Sequence, residues 1–88
     1  MIVRTVTVQN EQGFHVRPAQ LFVEKAGAFE ARIRVRGGAG EADGKSMLEL
    51  MTLGLEKGSA LTIEADGPDE AEAVRTLAEL VDGRFGEA

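Results

Sequence analysis

The sequence predicts an α/β (α+β) fold, a two-layer βαββαβα sandwich with an antiparallel four-stranded sheet and helices on one face. Three segments alternate apolar and polar residues, as strands with one solvated face do, and a short fourth strand follows a glycine cluster. Three other segments carry the apolar residues of short helices. Because the sheet has one apolar face, the helices should cover that face and leave the other in water.

The first predicted elements are a strand and a helix. Alternation over residues 2 to 8 indicates a strand with one wet face. Pro18 stands early in the next segment, where its missing N–H costs nothing if it opens a helix. Gly27 lies near the expected end of that helix. Apolar residues follow the proline at helical spacing, namely Ala19, Phe22, Val23 and Ala26.

The next segment predicts a strand pair. Residues 31 to 36 alternate, residues 37 to 40 are glycine-rich and predict a turn, and residues 41 to 43 form a short edge strand. The polar side of the first of these strands carries only arginines, which we expect to form a solvated sheet face. If the strands pair, Arg32, Arg34 and Arg36 lie opposite Thr62, Glu64 and Asp66.

The second half predicts a short helix, a strand and a longer helix. Ser46 and Glu49 match a capping box, and the helix should run to Leu53, with Gly54 as a left-handed stop. Alternation over residues 61 to 66 predicts the last strand, and Asp69 can cap the last helix. Residues 83 to 88 should form a frayed tail. The apolar stripe of the last helix is expected at Ala71, Val74, Leu77, Ala78 and Val81.

Composition limits the class of protein. The 88 residues are 43% hydrophobic and 28% charged, an ordinary globular balance, and we expect a single domain over residues 1 to 88. The net charge of −5 disfavours nucleic-acid binding. The absence of cysteine excludes disulfides and thiolate metal sites, and one histidine alone cannot hold zinc, so no cofactor or metal is expected.

The sequence also predicts the cellular location and the oligomeric state of the protein. The apolar runs are only a few residues long, which excludes membrane insertion. The first residues lack the layout of a signal peptide, so we expect a cytoplasmic protein. Nothing in the sequence indicates an oligomer, and we therefore expect a monomer.

The only histidine lies where phosphate chemistry is favoured. His15 falls between a glycine turn and the helix start marked by Pro18. A helix N-terminus offers N–H groups and a partial positive charge, and the Arg17 guanidinium suits phosphate oxygens. Imidazole is largely neutral near pH 7 and hence nucleophilic, so this site could accept, stabilise and release a phosphoryl group. By itself, the spacing favours the plainer interpretation of a surface or capping histidine beside a solvated arginine.

The short helix has more apolar residues than one buried face needs. Leu50 and Leu53 share one side, while Met47, Leu48 and Met51 group on another. One group must face away from the core unless the helix is fully buried, which is the alternative. An exposed methionine–leucine patch predicts an adaptable docking surface.

Ser46 has two compatible interpretations. As the N-cap of this helix it is structural. A phosphate on its hydroxyl would also be tolerated at a helix N-terminus, and it would repel an acidic partner from the neighbouring patch.

Two segments together give the chain a family resemblance. Residues 13 to 19, Gly-Phe-His-Val-Arg-Pro-Ala, are similar to the active-site signature of HPr, the histidine-containing phosphocarrier family of the bacterial phosphoenolpyruvate-dependent sugar phosphotransferase system. Residues 45 to 54 resemble that family's regulatory-serine signature, and residues 58 to 70 fit its closing portion. The resemblance therefore covers nearly the whole chain.

The resemblance implies an open-faced βαββαβα sandwich and a phosphoryl carrier that is not itself an enzyme. Enzyme I would phosphorylate His15 at Nδ1 using phosphoenolpyruvate, and the group would pass to the IIA domain of a sugar permease. Arg17 and N–H groups of the helix start would stabilise the phosphate. The family's docking face maps onto Val16, Arg17, Gln20, Met47, Leu48 and Met51.

In some members of the family an ATP-dependent HPr kinase also phosphorylates the residue that matches Ser46. That modification weakens the docking of enzyme I, and the modified form can serve as a corepressor. The chain departs from the family pattern at Gln12, at Val16, which adds bulk beside His15, and at Glu24 and Glu49, where some members carry lysine. These departures leave the choice of partners open.

Two alternative functions stay open at this point. A regulatory HPr paralogue would keep the same site chemistry but serve a nitrogen-type phosphorelay, or control a kinase or a transcription factor, without feeding sugar uptake. A small interaction domain would use the Met47-Leu48-Met51 patch alone, and substitution of His15 or Arg17 would then have no effect. The sequence does not name the sugar or the permease.

Overall fold

The computed structural model describes residues 1–38 and 40–86. Within these ranges the elements follow the order β1 (Ile2–Thr7), α1 (Val16–Ala26), β2 (Arg32–Gly37), β3 (Gly40–Asp43), α2 (Met47–Met51), β4 (Ala60–Asp66) and α3 (Glu70–Asp82). The predicted βαββαβα order is confirmed. No helix in the described part of the chain is both long and apolar enough to cross a membrane.

The four strands form one antiparallel sheet with the order β1-β4-β2-β3. The central strand β4 places Ile63 opposite Arg4 of β1 and Val35 of β2. Side chains alternate between the two faces, so that Val35 and Ile63 are buried while their neighbours along the strands reach water. The helices cover the buried face, and the predicted open-faced sandwich is therefore confirmed.

The apolar core lies between the sheet and the helices. α3 packs on β1 and β4, and α1 contacts both α2 and α3. The largest fully buried side chains include Phe22 of α1 and Leu77 of α3. Burial of each such side chain contributes about 1.5–3 kcal/mol. The stripe of α3 differs from the prediction at one position, because Ala73 is buried and Ala71 is exposed.

The solvated face of the sheet carries the predicted arginine stripe. β2 and β4 pair so that Arg32 lies opposite Asp66 and Arg34 opposite Glu64. The Arg34 guanidinium also lies 3.7 Å from the Glu41 carboxylate on β3. The Arg34 and Glu41 side chains are about half exposed, so this ion pair contributes at most about 1 kcal/mol. The prediction of a solvated, charge-paired face is confirmed.

Several element ends differ from the prediction. β2 extends through Gly37, which pairs with Gly40 at the start of β3, so the predicted glycine turn is shorter; residue 39 lies outside the described part of the chain. α2 ends at Met51 rather than Leu53. Its last turn tightens because the Thr52 N–H and hydroxyl both donate to the Glu49 carbonyl, at 3.0 and 2.6 Å.

Asp69 occupies the N-cap position of α3, but the prediction that its side chain caps this helix is wrong. The carboxylate accepts instead from the N–H groups of Glu30 and Ala31, at 2.8 and 2.9 Å. The hydrogen bond from the Glu30 amide is the main reason that the pKa of Asp69 lies below its usual value. Asp69 therefore ties the start of α3 to the residues that lead into β2.

The prediction of a frayed tail is wrong for residues 83 to 86. A short 3-10 turn, Arg84–Gly86, follows α3, and Phe85 within it is only 5% exposed. The ring of Phe85 meets the ring of Phe14 edge to face, with 5.4 Å between centroids. Burial of an aromatic ring opposes fraying here. Residues 87 and 88, also in the predicted tail, lie outside the described residues.

Candidate functional site

The loop that carries His15 is held on both sides. The Gly13 N–H donates to the Asn10 carbonyl and the Phe14 N–H donates to the Leu55 carbonyl, both at 3.0 Å. The Asn10 side-chain amide donates back to the Gly13 carbonyl. Gly13 has a φ of +68°, and a Cβ there would lie 2.6 Å from the Leu55 oxygen. Only glycine fits this position, which delivers the chain to His15 in a fixed direction.

His15 is the N-cap residue of α1. Its backbone is extended, with φ −83° and ψ −168°, and its carbonyl accepts the first helical hydrogen bond from the Ala19 N–H at 3.1 Å. The imidazole does not cap the helix, so the interpretation of His15 as a capping side chain is not supported. The residue is partly exposed.

The start of α1 is electrostatically suited to an anion. The N–H groups of Val16 and Arg17 lie in the first turn, where helical donors have no intrahelical acceptor, and Pro18 has no N–H to satisfy. This turn contains no acidic residue. In the described part of the chain, no carboxylate forms an ion pair with the exposed Arg17. The helix dipole and the absence of a nearby carboxylate in this turn therefore favour an anion at the start of α1.

Next to this site, α1 and α2 contact each other and present apolar side chains to solvent. Val16 is 54% exposed, and Gln20 lies one turn further along α1, also exposed. On α2, Leu48 is 80% exposed and Met51 37%. An exposed leucine on so short a helix excludes the alternative that α2 is fully buried.

The buried side of α2 agrees with its spacing. Leu50 is 1% exposed, and Leu53, just after the helix, is 2% exposed. Met47 was expected in the exposed group, but it is partly buried and packs against the core. Because Met47 precedes Leu50 by one helical turn, the two side chains share the buried side. The exposed patch of α2 therefore consists mainly of Leu48 and Met51.

Ser46 is the N-cap of α2, as predicted, and its hydroxyl oxygen accepts from the Glu49 N–H at 3.3 Å. Only half of the predicted capping box forms. The Glu49 carboxylate accepts from the Asp43 N–H at 3.0 Å, while the Ser46 N–H donates to the Asp43 carbonyl. Glu49 therefore ties α2 to the end of β3. Ser46 remains partly exposed.

Sequence reasoning missed three residues that support the His15 loop: Asn10, Leu55 and Phe85. Asn10 stands in a turn, where asparagine side chains commonly bond to nearby backbone groups, and this signal could have been used. Leu55 contributes only its carbonyl, which no sequence pattern reveals. Phe85 is the single aromatic residue among the last six, and this signal could have been used.

The chain combines an open-faced sandwich with a histidine at the N-cap of its first helix. The family model described as "PTS HPr component phosphorylation site" matches residues 2–82. The phosphocarrier protein HPr of Vibrio cholerae is 45% identical over 82 residues, which is 93% of this chain and 96% of that protein. The chain belongs to the HPr family of the phosphotransferase system.

Solved structures agree with this assignment. HPr from Thermoanaerobacter tengcongensis superposes with a TM-score of 0.95 at 36% identity, covering 100% of this chain and 99% of that one. The Bacillus subtilis catabolite repression protein Crh superposes with a TM-score of 0.75 at 33% identity, covering 96% and 97%.

Proposed function

We propose that this chain accepts a phosphoryl group on His15 from phosphorylated enzyme I and passes it to the IIA domain of a sugar permease. The observation that carries this proposal is the position of His15. It is partly exposed at the positive end of α1, beside an arginine with no described ion pair.

The transfer step is a displacement at phosphorus. The lone pair of Nδ1 attacks the phosphoryl group, a P–N bond forms, and the bond between phosphorus and the donor breaks with its electron pair remaining on the donor. Throughout, charge rests on the phosphoryl oxygens, and Arg17 with the N–H groups of the α1 start stabilises it. Delivery to the acceptor is the same step in reverse, so the carrier ends unchanged.

The docking face of this proposal comprises Val16, Arg17, Gln20, Met47, Leu48 and Met51. The exposed apolar members on neighbouring helices support it, because a partner that covers them removes water from the transfer site. Met47 contributes least, since it packs in part against the core.

Regulation at Ser46 by an HPr kinase belongs to the same proposal. The residue is partly exposed and directly precedes α2, so a phosphate would stand beside Leu48 and Met51. Its charge would oppose docking without disturbing the helix, because a phosphate at a helix N-terminus is favourable.

We further propose that the chain is one domain and a stoichiometric carrier rather than an enzyme, and that it works as a cytoplasmic monomer. The Nδ1 atom of His15 both receives and releases the phosphoryl group. The chain is therefore regenerated by the transfer itself and needs no second substrate. HPr from Thermoanaerobacter tengcongensis, 37% identical, has also been solved as a dimer. Sedimentation equilibrium of the purified chain therefore tests the monomer proposal.

The regulatory alternative has one specific support, the similarity to the Bacillus subtilis protein Crh. A regulatory paralogue would take up a phosphoryl group without supplying a permease. Delivery to a IIA domain is therefore the step that distinguishes the two functions.

The experiment combines both steps. The protein is incubated with phosphoenolpyruvate and enzyme I from the same organism, its intact mass is read at alkaline and acidic pH, and a IIA domain is then added. One acid-labile phosphoryl group that leaves on addition of the IIA domain is the expected result, with His15→Ala as the unlabelled, folded control. No labelling by an active enzyme I would overturn the proposal, and labelling without delivery would favour the regulatory alternative.

A further inference from the structure

The turn that follows α3 has an unusual backbone. Two consecutive residues other than glycine, Arg84 and Phe85, have φ angles of 57° and 54°, in the left-handed region. Residues other than glycine rarely adopt this backbone conformation. It persists where contacts with the surrounding structure stabilise it. The contact here is the Phe85 ring, which is buried although it lies beyond the last long helix.

That ring belongs to a short row of aromatic side chains. Phe85 meets Phe14 edge to face, with centroids 5.4 Å apart and an angle of 90° between the ring planes. Phe14 in turn meets Phe22 at 5.8 Å and 63°. Phe22 is fully buried in α1, so Phe14 is held between the core and the turn after α3.

The same turn also acts electrostatically on the loop that leads to His15. The Lys57 ammonium holds the pKa of Glu11 below its usual value, and the Arg84 guanidinium adds a smaller effect in the same direction. Glu11 lies in the loop that leads to His15. The ring contact of Phe85 with Phe14 therefore remains the direct link between this turn and the loop.

We propose that Phe85 is a positioning residue for His15 and acts through Phe14, and this inference rests on the function proposed above. Phe14 directly precedes His15, and its N–H is fixed on the Leu55 carbonyl. The backbone bond sets where the chain passes, and the two ring contacts set how Phe14 sits. Loss of the Phe85 ring frees one side of Phe14 and lets the neighbouring imidazole depart from its attack position.

The proposal predicts a specific kinetic signature. With Phe85→Ala as the acceptor, the kcat of enzyme I for phosphoryl transfer to this chain falls by about tenfold or more, because misplacement by about 1 Å can cost about 100-fold. The KM of enzyme I for this chain stays unchanged, since Val16, Leu48 and Met51 of the docking face are not altered. Phe85→Leu retains an apolar side chain in the turn and recovers part of the rate.

A matched control separates positioning from general stability. Phe29 is a partly buried phenylalanine that also packs on the core, but it lies beyond the opposite end of α1. Phe29→Ala also removes a packed ring. Rates are compared at a temperature where circular dichroism shows every variant folded, and the control is expected to keep the wild-type kcat.

A double-mutant cycle tests the route through Phe14. In a Phe14→Leu background, Phe85→Ala should have a much smaller effect on kcat than in the wild type, because the contact is already altered. Phe29→Ala should have the same effect in both backgrounds. Independent effects of the Phe14 and Phe85 substitutions would overturn the proposal.

The outcomes also distinguish this inference from the function on which it rests. If the wild type is labelled on His15 while the Phe85 variants match the Phe29 control, the inference is wrong and the carrier function stands. If Phe85→Ala does not fold, the same comparison is made with Phe85→Leu. If the wild type itself is not labelled by an active enzyme I, the proposed function fails and the inference falls with it.

Discussion

At the scale of single residues, the site depends on a few side chains with fixed surroundings. Gly13 accepts the left-handed backbone, His15 ends the loop as the N-cap of α1, and Arg17 follows on the first turn. Their places in the turn and at the start of the helix could be predicted from the sequence, because a glycine turn and a helix start marked by proline have local signals. The partial exposure of His15 could not, since it depends on the packing of distant segments.

Arg17 carries a direct prediction. Arg17→Ala should slow phosphoryl uptake by on the order of 100-fold, because it removes a preorganised donor from the charged oxygens. The free energy of unfolding should hardly change, since the side chain is exposed and has no described ion pair. Rapid-quench kinetics with phosphorylated enzyme I measure the rate of phosphoryl uptake, and urea unfolding measures the free energy of unfolding. Arg75→Ala, an exposed arginine of α3, is the control, and an equal effect of both substitutions would show that only overall charge matters.

At the scale of elements, periodicity predicted the strands and the helix order well, and side-chain partners poorly. Alternation placed the arginine face and the buried face of β2 correctly, because register in a half-buried strand follows from burial. The partners of Asp69 and Glu49 were not predicted, because each carboxylate accepts from a backbone amide outside its own helix. A capping pattern names a candidate acceptor but does not tell which donor it reaches.

The start of α2 allows a charge test at constant shape. Ser46→Asp and Ser46→Asn both keep an oxygen that can cap the helix, but only aspartate adds a negative charge beside Leu48 and Met51. Ser46→Asp should slow phosphorylation of His15 by enzyme I, and Ser46→Asn should leave the rate near that of the wild type. Equal rates for all three proteins would mean that Ser46 is only a cap. Ser46→Ala should lower the free energy of unfolding by about 1 kcal/mol.

At the scale of the whole molecule, Asp69 makes two polar contacts between α3 and the segment that leads into β2. Its carboxylate on α3 accepts from Glu30 and Ala31 before β2, and these bonds lower its pKa, with the Glu30 amide as the main cause. The folded state therefore binds the proton on Asp69 less readily than the unfolded chain. The resulting stability is present above the unfolded pKa and is lost as pH falls through the lower folded value.

Asp69→Asn tests this link. The wild type should lose stability from about pH 5 downwards, and the variant should lose less over the same range, because asparagine does not titrate. Urea unfolding at several pH values between neutral and acidic gives the comparison. Glu79→Gln, an exposed position on the same helix, is the control and should keep the wild-type slope. Identical slopes for wild type and Asp69→Asn would contradict the assignment.

The whole molecule also shows where sequence reasoning reaches its limit. Alternation and helical spacing predicted the two-layer βαββαβα order, and the family resemblance implied the open-faced sandwich. The buried Phe85 was missed, since its partner Phe14 lies at the other end of the chain and no local pattern links them. Contacts of this kind, between segments distant in sequence, are what the structure adds to the site.

The most direct test of the central claim observes the ring of His15 itself. The chain contains one histidine, so a protein labelled with nitrogen-15 in histidine gives the signals of His15 alone. After treatment with phosphoenolpyruvate and enzyme I, NMR should show a phosphorus–nitrogen coupling at Nδ1, and the coupling should disappear when a IIA domain is added. A phosphate on Nε2, or a bound phosphate that shows no coupling to the histidine ring, would contradict the assignment of His15 Nδ1 as the carrier atom.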